Sequence, residues 1–313
     1  MTGLSLSRAF FETHGLPMLL KEFADLLPHM AAGFFGAGSE CFGFDDEISR
    51  DHDFEAGFCL LLPGEDVIDR RSAFLLERAY AKLPKEFMGV TRSLMQPVGG
   101  ARRGVLRTEE FFSQLVGSAD GVLTIPEWMS VPEQALAEAT NGEVFLDNAG
   151  TVTRIRKRLA YFPEDVRRKK LAGHLLLMAQ AGQYNYKRCL AHGETAAAQL
   201  SAVEFVKHTV SAIFLLNRVY QPYYKWSFRA LRTLPLLSLE AELLEYLLTT
   251  DNEKEIAEEK YTVIEGIASD VIEEAQKQEL TKAICGDLEK HAYSVNDTVS
   301  DGFLRNSHIL AGV

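Results

Sequence analysis

The sequence predicts an α+β protein, in which an amino-terminal half of short strands and helices is followed by an all-α carboxy-terminal half. Three observations carry this. Apolar runs before residue 150 are short and stop abruptly at Gly38-Ser39, Pro63-Gly64 and Asn148-Ala149-Gly150. Beyond Pro163 nearly every window is amphipathic at helical spacing. The chain has 313 residues and is 47% hydrophobic, enough for two packed domains or one domain with a large extension. The expected domains are 1–155 and 156–313, with the boundary in or near a basic stretch at 154–170. There is no internal repeat and no low-complexity segment.

The elements follow in order. Phe10, Phe11, Leu19, Leu20, Phe23, Leu26 and Leu27 recur at helical spacing around Gly15 and Pro17, predicting one or two opening helices. Ala31 to Ala37 and Asp53 to Leu62 then read as adjacent strands, and residues 66–83 as an amphipathic surface helix. Gly104 to Thr108 and Glu143 to Asp147 are further strand candidates. In the second half helices are expected over 163–190, 195–220, 238–250, 252–279 and 280–293, with a weakly patterned tail from Ser294.

Composition narrows the function classes. Cys41, Cys59, Cys189 and Cys285 form no CxxC pair, which reads as reduced thiols and argues against zinc. No apolar run reaches the ~20 residues a membrane span needs, and Met1-Thr2-Gly3-Leu4-Ser5 lacks a basic or apolar leader pattern, so no membrane partner and a cytoplasmic location are expected. The formal charge of −11 opposes non-specific attraction to nucleic acid, which is disfavoured as a partner. An anionic ligand would need local contacts.

The informative segment is Gly38-Ser39-Glu40-Cys41-Phe42-Gly43-Phe44-Asp45-Asp46-Glu47-Ile48-Ser49-Arg50-Asp51-His52-Asp53-Phe54. A Gly-Ser turn between a strand and a helix offers backbone N–H groups and a hydroxyl to phosphate oxygens, and glycine permits close backbone approach. Asp51 and Asp53, at i and i+2 on a strand, project from one face and together suit a hard divalent cation such as magnesium. Such an ion would neutralise triphosphate charge during displacement at phosphorus. Asp45, Asp46 and Glu47 read either as a charge cluster at a helix end or as groups supporting the metal ligands.

A Gly-Ser turn followed by Asp-x-Asp on the next strand resembles the signature of the nucleotidyltransferase superfamily related to DNA polymerase beta. More narrowly, the GSE, DDEIS and DHD elements resemble those of a bacterial domain-of-unknown-function group. Weaker resemblance extends through Gly142-Glu143-Val144-Phe145, Pro163 to Val166, Gln180 to Tyr186, and Asn217-Arg218 to Tyr223-Tyr224-Lys225-Trp226. The resemblance implies a nucleotidyltransferase-like domain with a mixed sheet backed by helices, and a helical domain closing over the nucleotide. It further implies Gly38 and Ser39 at the phosphates and Asp51 and Asp53 as catalytic magnesium ligands, with ATP or another nucleoside triphosphate as co-substrate. Many active relatives carry a third carboxylate on a later strand. Here that stretch, Gly104-Val105-Leu106-Arg107-Thr108, contains no acid, and Glu109, Glu110 or Asp147 would have to substitute.

Cations and aromatics could complete a nucleotide site. Eight of the seventeen residues at 154–170 are Lys or Arg, which reads as a solvated helical face or, alternatively, as a source of phosphate contacts such as Arg154 or Lys170. Arg218 and Lys225 lie in an aromatic stretch broken by Pro222 and are assigned to nucleotide binding, the alternative being packing at a corner. Gln180, Tyr184 and Arg188 share a helical face that could line a cleft. The function expected is magnesium-dependent transfer of a nucleoside monophosphate, AMP in the first instance, to a hydroxyl of a small molecule or protein. The alternative is a nucleotide-binding regulatory protein of the same fold with weak or no catalysis.

Overall fold

The computed structural model describes residues 1–48, 54–92 and 103–313. The chain divides into two compact units, residues 1–127 with 131–160, and 128–130 with 161–313. The short helix Ile125–Ser130, α6 in chain order, is therefore shared in sequence between them.

In the first unit, α1 (Gly3–Phe10) starts beneath Thr2, whose hydroxyl accepts the Ser5 N–H at 3.2 Å. A π-helical turn, Phe11–Gly15, carries the path into α2 (Leu16–Glu22), so Gly15 and Pro17 bend the opening helix rather than ending it. Pro17 is the second residue of α2, directly after the π-helical turn. Gly15 is required by packing, because a Cβ there would lie 2.4 Å from the Phe58 ring.

Strand β1 (Ala31–Phe34) pairs antiparallel with β2 (Cys59–Leu62), in the register Gly33 to Cys59. Between them lies the one-turn helix α3 (Ser39–Phe42). The expected strand through Ala37 stops at Phe34, because Gly36 and Gly38 turn the backbone to φ +112° and +120°. The second expected strand, from Asp53, begins only at Cys59 among the described residues. Phe58 lies just outside β2, and its N–H and C=O are both taken by the Tyr80 hydroxyl, at 3.0 and 2.8 Å.

Helix α4 (Arg70–Ala81) falls within the predicted 66–83 and is capped by Asp69, which accepts the Ser72 N–H at 2.7 Å. A small hairpin, β3 (Glu86–Phe87) and β4 (Val90–Thr91), turns through Met88 and Gly89, both at positive φ. β5 (Gly104–Arg107) runs parallel to β2, and α5 (Thr108–Val116) follows it. After α7 (Glu133–Thr140), β6 (Glu143–Asp147) pairs antiparallel with the other edge of β1, and α8 (Thr151–Arg158) closes the unit. The result is a mixed four-stranded sheet in the order β5-β2-β1-β6, flanked by helices. Its core packs Leu6, Phe10, Phe11 and Leu19 against Phe58, Leu60, Leu62 and Leu76.

The second unit contains helices and no strand among its described residues. It comprises α9 (Glu164–Met178), a π-helical segment Ala179–Tyr186, α10 (Lys187–Ala191), α11 (Thr195–Asn217), α12 (Tyr224–Leu231), α13 (Glu240–Thr249), α14 (Lys254–Lys277), α15 (Leu288–Asp297) and α16 (Gly302–Asn306). The helix expected over 280–293 starts later, at Leu288, because Asp287 caps it by accepting the Glu289 N–H at 2.9 Å. Among the described residues, no helix is long and apolar enough to cross a membrane.

Candidate active site

The sheet registers place several segments at one end of the first unit. β1 leaves the sheet at Phe34 into the Gly36–Ser39 turn, and β2 comes in opposite Gly33. β5 starts opposite Cys59, and β6 starts with Glu143 opposite Phe34. The Gly36–Ser39 turn, Phe54–Phe58, Arg103 and Asn141–Glu143 therefore share that end.

The turn is held by a side chain rather than by a strand. Asn141 accepts the Gly36 N–H through Oδ1 at 2.9 Å and donates Nδ2 to the Gly36 carbonyl at 2.8 Å, a bidentate clamp on one peptide position. Gly142 donates to the Cys41 carbonyl at 2.9 Å, and a Cβ on Gly142 would lie 2.1 Å from the Phe34 carbonyl oxygen. Gly38, at φ +120° and ψ 147°, occupies a conformation open essentially to glycine alone. Gly38 and Ser39 are half-buried, and the Ser39 hydroxyl has no hydrogen-bond partner among the described residues.

Beside the turn lies a buried charge cluster. The Arg103 guanidinium donates to Glu40 at 3.2 Å and to Glu55 at 3.3 Å, with side-chain exposures of 8%, 6% and 17% in that order. Its Cζ also stands 4.9 Å over the Phe34 ring. Glu40 follows Ser39, and Glu55 comes two residues after Asp53. One guanidinium thus bridges the segment leaving β1 to the segment returning toward β2. The neighbouring Cys59 thiol is pushed up to about 12 by burial, with Arg103 opposing, so it is protonated and inert at neutral pH.

Asp51 and Asp53, with Ser49, Arg50 and His52, lie outside the described residues. Asp45 is engaged in the scaffold, where its Oδ2 accepts the Gly3 N–H at 2.8 Å in the first turn of α1. The three acids weighed as a third carboxylate belong elsewhere. Glu109 and Glu110 open α5 at the far end of β5, beyond Arg107 opposite Leu62. Asp147 ends β6 opposite Ala31 and accepts the Thr151 and Thr153 N–H groups at 3.1 and 2.7 Å. What β5 presents at the turn end is Arg103.

Arg218 and Lys225 belong to the second unit. Arg218 ends α11 in the left-handed region at φ +55° and pairs with Glu164 at 2.9 Å. Lys225 lies on α12 with Nζ 4.9 Å from the Trp226 ring centroid. Within the same stretch, Tyr220 is buried against Tyr161 and Phe162, whereas Tyr223 and Tyr224 are exposed.

Three of the eight cations in the basic stretch, Arg167, Lys169 and Lys170, serve the second unit's interior. Arg167 is fully buried and donates to the Leu215 carbonyl at 2.8 Å, to Glu164 at 3.0 Å and to Gln278 at 2.5 Å. Lys169 donates to Asn296 and the Ser307 carbonyl, and Lys170 to the Gly312 carbonyl at 2.7 Å. At these three positions this corrects the expectation of a solvated face, because buried cations here satisfy carbonyls near helix and chain ends, whereas Arg154, Lys157 and Arg158 are exposed as that reading expects. Arg154 is exposed and bonded locally to Thr151 at 3.1 Å.

Gln180 and Tyr184 do line a cavity, of about 520 Å³, with Gln183, Asp287 and Glu289. Arg188 does not line it and instead stands 5.0 Å over the Tyr184 ring.

Comparison with known proteins adds one family match. Residues 128–227 match a family described as a domain of unknown function, DUF4037. That span contains the weaker resemblance segments from Gly142 to Trp226 and excludes the Gly38-to-Asp53 segment. Comparison with curated proteins finds no match. Among solved structures, a nucleotidyltransferase-like protein from Exiguobacterium sibiricum 255-15 is similar at TM-score 0.39 and 12% identity, over 84% of this chain and 78% of that chain.

Proposed function

We propose that this protein transfers a nucleoside monophosphate, AMP in the first instance, from a nucleoside triphosphate to a hydroxyl of a small molecule or a protein. The supporting observation is the bridge from Glu40 through Arg103 to Glu55, which ties the residue after Ser39 to the segment that follows Asp53. Gly38 and Ser39 would receive phosphate oxygens, with a glycine-only backbone conformation and a hydroxyl that has no partner among the described residues. Asp51 and Asp53 would hold magnesium, since a pair of hard carboxylate oxygens matches that ion. The ion would supply charge neutralisation and orientation of the phosphates. In the reaction the acceptor oxygen bonds to the α-phosphorus, the bond from that phosphorus to the bridging oxygen breaks, and pyrophosphate leaves. The hydroxyl proton passes to solvent or to a carboxylate.

A transfer assay with α-labelled ATP over a panel of hydroxyl acceptors and co-purified proteins tests this. Asp51→Asn/Asp53→Asn should lose transfer by at least about 100-fold, as expected where metal and charge stabilisation supply several kcal/mol. A double variant as active as wild type would reject the proposal.

One observation favours a second reading, binding without turnover. The strand beside β2 brings Arg103 to the turn end, while Glu109, Glu110 and Asp147 sit at the other end of the sheet. Calorimetry separates the two readings. Magnesium-dependent ATP affinity with no labelled product on any acceptor favours a nucleotide-binding regulator, and product favours the transferase.

A further inference from the structure

Two arginines, Arg103 with a buried side chain and Arg156 half-buried, flank the turn, stacked on consecutive residues where β1 ends, and they differ in their charge partners. Arg103 stands over Phe34 and is neutralised by Glu40 and Glu55. Arg156, on α8 of the same unit, stands 5.0 Å over the Phe35 ring. Its Nη2 donates to the Thr140 and Asn141 carbonyls, both at 2.6 Å, and no carboxylate pairs with it among the described residues. Its Nη1 is buried and has no hydrogen-bond partner there. Burial lowers its pKa below the ordinary arginine value, with Cys41 opposing, yet a guanidinium stays charged in proteins.

A buried cation without a counter-anion is costly, and proteins keep such groups where the charge is used. Arg156 also holds the backbone of Asn141, the residue that clamps both polar groups of Gly36. We infer that Arg156 is a positioning residue for the Gly36–Ser39 turn, fixing its shape through Asn141 and supplying a positive charge, unpaired with any carboxylate among the described residues, that a polyphosphate in the turn would neutralise. The charge half of this inference rests on the nucleotide-binding reading, and the shape half does not. Nη1 is covered, so the charge acts through the turn at short range in a low-dielectric surrounding.

The experiment uses the full-length protein and two variants, Arg156→Gln and Arg156→Lys. Hydrogen exchange without nucleotide tests the shape. Arg156→Gln should speed exchange across Gly36–Cys41 at least tenfold with β2 unchanged, and unchanged exchange in the turn overturns the positioning role. Titration with magnesium-ATP and with tripolyphosphate tests the charge. Arg156→Gln should weaken both at least tenfold, and Arg156→Lys, which keeps the charge, should recover part of the loss. If wild type binds and Arg156→Gln binds equally well, the charge role fails while the proposed function stands. If wild type binds neither compound, the proposed function and the charge role fall together, and the exchange result alone decides the positioning role.

Discussion

The buried cations of the two units are treated differently, and the difference separates scaffold from site. In the second unit, Arg167, Lys169 and Lys170 sit among carbonyls and neutral or acidic side chains that take up their donors, and Lys260 donates to Gln199 at 2.8 Å and to the Thr250 carbonyl at 3.1 Å. In the first unit, Arg103 and Arg156 each keep one buried nitrogen, Nε and Nη1, without a partner among the described residues. Satisfied burial stabilises a helical core, whereas incomplete satisfaction beside a glycine turn costs stability that only a ligand or a specific geometry would return.

This comparison makes graded predictions. The largest effect should come from Arg167→Met, because it removes a buried guanidinium whose three nitrogens all donate, to the Leu215 carbonyl, Glu164 and Gln278. A loss of about 3–5 kcal/mol is expected in urea unfolding, and a loss below about 1 kcal/mol would break the comparison. Arg103→Met should cost about 2–3 kcal/mol, since it leaves Glu40 and Glu55 buried together, and adding Glu40→Gln should restore part of that. If the second substitution deepens the loss instead, like-charge repulsion is not the cause.

A smaller effect concerns acidity within the second unit. Glu240 is raised to about 7, first by burial and then by Asp270, so the folded state holds its proton more tightly than the unfolded chain. The stability this gives is full below the ordinary carboxyl value and is lost as pH rises through about 7. Glu240→Gln should therefore stabilise the protein at pH 8 by about 1 kcal/mol and have little effect at pH 5. His174 and His208, whose Nδ1 atoms lie 3.0 Å apart, run the other way. Burial lowers both, His208 being opposed by Glu204 and His174 further lowered by His208 and Lys170. Their contribution is full above the ordinary histidine value and is lost as pH falls below it, and a double His→Gln variant should flatten that acid limb of the stability curve.

Much of the scaffold was legible because apolar periodicity dominates where burial is one-sided. The helices at Arg70–Ala81, Thr195–Asn217 and Lys254–Lys277 and the strand at Glu143–Asp147 follow it closely. The helix at Tyr224–Leu231 was hidden by the aromatic and cationic residues around Pro222, and the hairpin through Met88-Gly89 by strands only two residues long. At the candidate site the glycine turn was visible because positive φ leaves a residue signature. Arg103, Glu55, Asn141 and Arg156 were not, because their roles depend on sheet registers that bring distant segments to one end, and a single sequence carries no trace of that pairing. Arg156 stood inside a basic stretch whose neighbours are exposed or structural, so charge alone did not single it out.

The most direct test of the account is hydrogen exchange followed while magnesium-ATP is added to the wild-type protein. Amides of Gly36–Cys41 and of Phe54–Phe58 should become protected together, at the same nucleotide concentration, and only when magnesium is present. Protection confined to other segments, or protection that is indifferent to magnesium, would contradict a shared phosphate and metal site at this end of the sheet.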